Sequence, residues 1–222
     1  MLRRARDAVS FLLGAVRVRR RSRMAIYGLS GLLGLSGFGM LSYPFVTDLY
    51  SLRLQSSLSD EFASPEFEKN FSAGTIADGQ VLTRIEIPKI GVDALVVEGT
   101  DPGALRAGAG HYKGTAFPCA PGNVGIAGHR TTYGKPFNRI DELVAGDELT
   151  LSTPQKKCTY RVVDAGPGKE RPRRGAAGWI THPKDGAVIG KLPGQNLTLT
   201  TCHPKGSAAK RLIVRAELVE SA

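Results

Sequence analysis

The stretch Asn196-Leu-Thr-Leu-Thr-Thr-Cys-His-Pro-Lys-Gly-Ser-Ala-Ala-Lys-Arg211 decides how the chain is read. Residues 197–201 alternate leucine with threonine, a strand pattern. Leu197 and Leu199 point to one face, and Thr198, Thr200 and Cys202 to the other. His203-Pro204 ends the strand, because proline has no N–H for a ladder. Lys205-Gly206-Ser207 is loop chemistry. A second strand follows at once, Arg211-Leu-Ile-Val-Arg-Ala-Glu-Leu218. If the two pair as neighbours, Arg211 returns beside Cys202. A thiol and a guanidinium then share one end of a sheet. A nearby cation favours the nucleophilic thiolate. Arginine holds its proton too tightly to act as a base, but it can stabilise an oxyanion. The pair still needs a proton carrier, and histidine is the usual one.

Four histidines are available. His129 follows Asn-Val-Gly-Ile-Ala-Gly, a strand that runs out on a glycine, and loops off rigid strands are where reactive groups are displayed. His111 lies in a glycine-rich loop and His182 precedes a proline. His203 adjoins Cys202, so on a strand it points to the opposite side. His129 therefore ranks first.

The 222 residues carry a net charge of +10, unevenly spread. Residues 1–23 hold eight arginines and one aspartate; residues 48–78 have a net charge of −4. The remaining charges are scattered, and few aromatics lie among them, which argues against nucleic acid. Around the short apolar patch 11–16 sit Arg3, Arg4, Arg6, Arg17, Arg19, Arg20, Arg21 and Arg23. From Met24 to Thr47 no residue is charged. As a helix this run covers roughly 35 Å, enough for a bilayer core of about 30 Å. The arginines before it place the N-terminus in the cytoplasm. It is longer than a signal-peptide core and no A-x-A site follows, so an uncleaved anchor is the expectation. Gly28, Gly31, Gly34 and Gly37 reflect the ordinary abundance of glycine in membrane helices.

The expected organisation is a cytoplasmic basic tail (1–23), a membrane helix (24–47), a stalk (48–79) and an exported domain (80–222). Within the stalk, Leu54, Leu58 and Phe62 have helical spacing before Pro65. From Val81 the texture is all-β. Short runs at 81–87, 94–98, 124–127, 148–152, 159–163, 196–202 and 212–218 are divided by Gly, Pro and Asp, which predicts a sandwich or barrel. Asp101 to Ala107 has the makings of one helical turn. Lys169–Gly178 is basic and glycine-rich and reads as a mobile loop.

The segments V-V-E-G-T-D-P-G-A-L-R-A-G-A-G-H-Y (96–112), I-A-G-H-R-T-T-Y-G-K-P-F-N (126–138) and L-T-L-T-T-C-H-P-K (197–205) resemble the sortase family, most of all the class E sortases of high-GC Gram-positive bacteria. The likeness covers about residues 80–220. It implies a closed eight-stranded β-barrel with short helices and an extracellular cysteine transpeptidase. Cys202 would be the nucleophile, His129 the general acid/base and Arg211 the oxyanion or substrate-backbone ligand. Tyr112, Thr200 and Thr201 would contact substrate; Tyr112 matches a tyrosine linked to preference for alanine at the signal's second position, and packing on the barrel is the plainer account of it. The partners implied are secreted proteins with an L-A-x-T-G-like or L-P-x-T-G C-terminal signal, cut between Thr and Gly, and a lipid II-like peptidoglycan amine as acceptor. No cofactor is implied. The chain departs from the pattern at Cys119 and in the basic loop.

The rival from another class is a membrane-anchored structural or metal-binding β-domain using Cys119, Cys158, Cys202 and the histidines. No C-x-x-C or H-x-x-x-H spacing supports a metal. A papain-like hydrolase would place cysteine before histidine, the reverse of the order here. Cys119 and Cys158 are left as the one pair open to a disulfide if Cys202 stays free. Nothing but the odd count joins them, so the expectation leans to two unpaired thiols.

Overall fold

The computed structural model describes residues 20–164, 166 and 169–221. Most of the basic tail lies outside these. The chain divides into two units, residues 1–43 and 44–222. Helix α1 (Arg20–Phe62) runs through both. In the first unit its large apolar side chains, Leu32, Leu35 and Phe38 among them, are exposed. Among the described residues, α1 is the one helix long and apolar enough to cross a membrane.

The second unit is a barrel. Its strands are β1 (Val81–Ile87), β2 (Val92–Glu98), β3 (Ala109–His111), β4 (Gly122–Gly128), β5 (Glu148–Ser152), β6 (Lys157–Val163), β7 (Trp179–Thr181), β8 (Gln195–His203) and β9 (Lys210–Ser221). The order is β6-β5-β1-β2-β3-β4-β8-β9, and β6 pairing with β9 closes the ring; β7 is a ninth strand on β9. Two pairings are parallel, β2–β3 and β4–β8; the rest are antiparallel. Alternation does what it predicts. Leu149 and Leu151 of β5, Tyr160 of β6, and Leu197 and Leu199 of β8 are fully buried in one interior core. Closure removes the open edges that would otherwise template aggregation.

The predicted runs all become strands. β3 and β7 were not anticipated: at three residues each they show no periodicity, and their neighbours in the barrel define them. The helical turn appears as α3 (Pro102–Arg106), with the Asp101 carboxylate accepting from the N–H groups of Gly103 and Ala104.

Residues 48–73 are mostly helical, as the spacing before Pro65 suggested in part. α1 continues to Phe62, and α2 (Pro65–Ala73) follows, capped by the Ser64 hydroxyl accepting from Phe67 N–H. Leu54, Leu58, Phe62, Phe67 and Phe71 pack on the outer face of Val81, Leu95 and Val97, forming a second core. β2 is thus buried on both faces, with Val96 turned into the barrel. Gln55 completes the docking. Its Nε2 donates to the Leu95 and Ala107 carbonyls and its Oε1 accepts from Leu95 N–H.

Cys119 and Cys158 are joined in a disulfide, contrary to the expectation of free thiols, with Cα atoms 5.8 Å apart. The reason is a loop path that local sequence does not encode. Residues 113–121 bring Cys119 into the interior core beside β6. Both cysteines are almost completely buried. Cys202 remains the free thiol. The bridge spans 39 residues, a loop worth roughly 4 kcal/mol by the chain-entropy relation. Replacing both cysteines by serine should therefore lower unfolding free energy by about 3–4 kcal/mol, as read by denaturant titration. Alkylation of the denatured, unreduced protein should label one cysteine; three labelled cysteines would contradict the bridge.

Candidate active site

β8 and β9 pair so that Cys202 is directly opposite Arg211. Opposed residues in an antiparallel pair share a face, with Cβ atoms about 4.5–5.5 Å apart. Cys202 and Arg211 therefore share one face of the sheet. The Arg211 Nη1 donates to the carbonyls of Ala208, in the β8–β9 loop, and Lys210, the first residue of β9, which leaves Nε and Nη2 for a ligand. Arg215, two steps along the same face, has another task. It is half-buried over the Trp179 ring at 5.2 Å and donates to the Val188 carbonyl.

His129 reaches the same place by the parallel ladder. β4 pairs with β8 up to Ala127 opposite Thr200. Continued for two more residues, that register brings His129 level with Cys202. The Thr201 hydroxyl donates to the Gly128 carbonyl at 2.7 Å, extending the contact past the ladder. Gly128 has to be glycine, because a Cβ there would stand 2.6 Å from the Phe137 ring. Burial holds the His129 imidazole below its ordinary pKa, favouring the neutral ring.

Thr200 and Tyr112 line a cleft of about 150 Å³ with Arg211 and His182. The Tyr112 hydroxyl and Thr200 Oγ1 are 2.9 Å apart. The Tyr112 ring lies against Gly125, where a Cβ would meet it at 3.1 Å. It is thus packed on the barrel and also forms a cleft wall. Thr201 does not belong to the cleft: strand alternation turns it away from Thr200, and its hydroxyl is committed to Gly128.

The other histidines have separate surroundings. His111 is buried, with Nδ1 2.7 Å from Glu98 Oε2 and Nε2 3.0 Å from the Ala116 carbonyl oxygen. His203 Nδ1 accepts from the Arg130 guanidinium at 2.8 Å. Burial, and then that cation, keep the His203 ring below its ordinary pKa.

Arg130 is the residue that pattern reading passed over. It follows His129, yet is only 4% exposed. Its Nη1 also donates to the Cys202 carbonyl at 3.2 Å, and its Nη2 to Asp141 at 2.9 Å. One buried fork therefore ties the residue after the histidine to the backbone of the cysteine. The only sequence signal was an arginine beside the chosen histidine, which reads equally well as surface charge. The basic loop 169–178 supports the fork. Arg173 donates to the main-chain carbonyls of Asp141 and Glu142, and Arg171 to those of Ala176 and Ala177. Expected to be mobile, this segment is held by its own arginines.

Residues 85–219 match the family model described as the sortase domain. The chain belongs to the sortase family. It is 32% identical over 180 residues to sortase SrtE1 of Streptomyces coelicolor, covering 74% of this chain and 47% of that protein. It is 33% identical to sortase D of Bacillus subtilis over 160 residues, covering 70% of this chain and 73% of that protein. This sortase therefore spans about half the length of the first relative. Among solved structures, sortase E1 from Streptomyces coelicolor with a tripeptide in its active site superposes with a TM-score of 0.55 at 34% identity, covering 64% of this chain and 90% of that one.

Asp141 is the anionic partner of a buried cation. Asp141→Ala should destabilise this sortase by on the order of 3 kcal/mol, because the guanidinium stays behind unpaired; denaturant unfolding of the single variant checks it.

Proposed function

We propose that this sortase is a membrane-anchored cysteine transpeptidase acting on C-terminal sorting signals. The observation that supports the reading is the register that puts Cys202 opposite Arg211 in one ladder, with His129 one residue past the end of the neighbouring strand. The Cys202 sulfur attacks the threonine carbonyl of the signal, and His129 takes the thiol proton. Arg211 holds the tetrahedral oxyanion through the groups its loop leaves unused. Collapse breaks the Thr–Gly bond, and His129 returns its proton to the leaving amine. The thioester is then attacked by an acceptor amine, which regenerates the thiol. The cleft bounded by Tyr112, Thr200 and Arg211 receives the signal. The resemblance to class E members favours L-A-x-T-G over L-P-x-T-G, and a lipid II-like amine as acceptor. Helix α1 anchors the chain, with the arginine-rich end in the cytoplasm and the barrel outside. The disulfide accords with an oxidising exterior. It also takes Cys119 and Cys158 out of the metal set on which the rival reading depended.

Incubation of the detergent-solubilised full chain with both peptides and a glycine or diaminopimelate amine tests the reading, with products identified by mass. Cys202→Ala should abolish cleavage and transfer, and His129→Ala should be nearly as severe. Arg211→Lys should lose most activity, since an ammonium does not reproduce the guanidinium fork. Full activity in the Cys202 or His129 variant rejects the assignment.

The pH profile is a second check. A general base must be neutral, and burial favours that form in His129. Its pKa is depressed, so kcat/KM should hold as pH falls through the ordinary histidine value of about 6.5. The acid limb should appear only below it. An acid limb above that value would contradict the assignment.

A further inference from the structure

His129 lies one residue beyond β4, so its backbone is outside the ladder and its carbonyl accepts instead from the Phe137 N–H of the loop. The loop behind it has an unusual backbone. Tyr133, Gly134 and Lys135 are successive residues at φ 51°, 71° and 38°. Side chains rarely adopt this left-handed region, and two of the three residues carry one. Such a run persists only where its surroundings over-determine it. Here the surroundings are α1. Asp48 Oδ1 accepts from Gly134 N–H at 2.9 Å, and Oδ2 forms an ion pair with Lys135. Ser51, one turn further along, closes on the same glycine, where a Cβ would stand 2.9 Å from its Oγ. Gln55, another turn on, bonds β2 and so fixes the helix against the barrel. At the other side of the loop, the Tyr133 ring lies 5.2 Å from the His129 ring, tilted by 36°.

We propose that Asp48 is a positioning residue for His129, acting through the Tyr133–Lys135 loop, so that the helix before the barrel completes the active site. Asp48 does not touch substrate. It holds the left-handed loop whose tyrosine sets the orientation of the imidazole. The inference rests on His129 serving as the acid/base of the proposed reaction.

The test uses the full chain in detergent micelles, with Asp48→Ala, Asp48→Asn and Lys135→Met. Alanine removes both the Gly134 bond and the ion pair. Asparagine keeps an oxygen that can accept from Gly134, and Lys135→Met removes the ion pair alone. Asp48→Ala should lower kcat by about 10- to 100-fold, the scale of a misplaced catalytic group, with KM nearly unchanged. Asp48→Asn and Lys135→Met should retain most of kcat. The His129 Hε1 resonance, shifted by the Tyr133 ring current, should move in the alanine variant. The buried His111 resonance should stay in place and report an intact barrel. Wild-type kcat and an unmoved His129 resonance in Asp48→Ala would overturn the proposal. If the wild-type chain turns over neither peptide, the transpeptidase reading fails on its own, and the His129 resonance still decides the positioning role.

Discussion

The parallel ladder between β4 and β8 is the constraint on which the rest of the site depends. Cys202 and Arg211 are close in sequence, so a short loop between paired strands is enough to join them. His129 is 73 residues from Cys202, and only adjacency of β4 and β8 brings them together. Parallel neighbours cannot be joined by a tight turn. The intervening chain therefore travels round the barrel through β5, β6 and β7. Closure of β6 on β9 is what returns it.

What could be read from the chain follows from this. Strands with alternating apolar residues were legible because Leu149, Leu151, Leu197 and Leu199 obey a period of two over enough residues to show it. The Cys202–Arg211 pairing was legible because both strands and their loop are contiguous. β3 and β7 were not, since three residues carry no period. Loop paths were not legible either. Nothing in Phe117-Pro-Cys-Ala-Pro121 says that it packs in the core against β6, so local sequence does not point to the disulfide. Thr201 was grouped with Thr200 by motif, although alternation already separated them. Arg130 was invisible for a related reason: burial of a charge depends on partners, and Asp141 and the Cys202 carbonyl are distant in sequence.

The arginines illustrate why charge alone misleads. Arg84 and Asp93 form an exposed pair that adds little to stability. Arg171 and Arg173 spend their donors on main-chain carbonyls, replacing ladder bonds that an irregular segment lacks. Arg215 is stacked on Trp179, and Arg130 is buried. Each suits a planar group with five donors better than a lysine. A basic segment that reads as a mobile loop is here the means by which loops are closed.

The three residues proposed for catalysis are therefore held with unequal security. Cys202 and Arg211 sit within β8 and β9, opposite each other in one ladder, where side-chain direction follows from the pleat. His129 sits past the end of β4, where the ladder stops. Two supports replace it, from opposite directions. Arg130 binds the loop from below to the backbone of Cys202, and α1 braces it from behind through Asp48 and Ser51. A histidine that shuttles a proton between thiol and amine needs its ring to serve both partners in turn. Neighbours on a loop, rather than a strand, set its position. The cost is that the supporting residues lie in parts of the chain that look like surface and stalk, which is where a reading confined to the catalytic motif would not search.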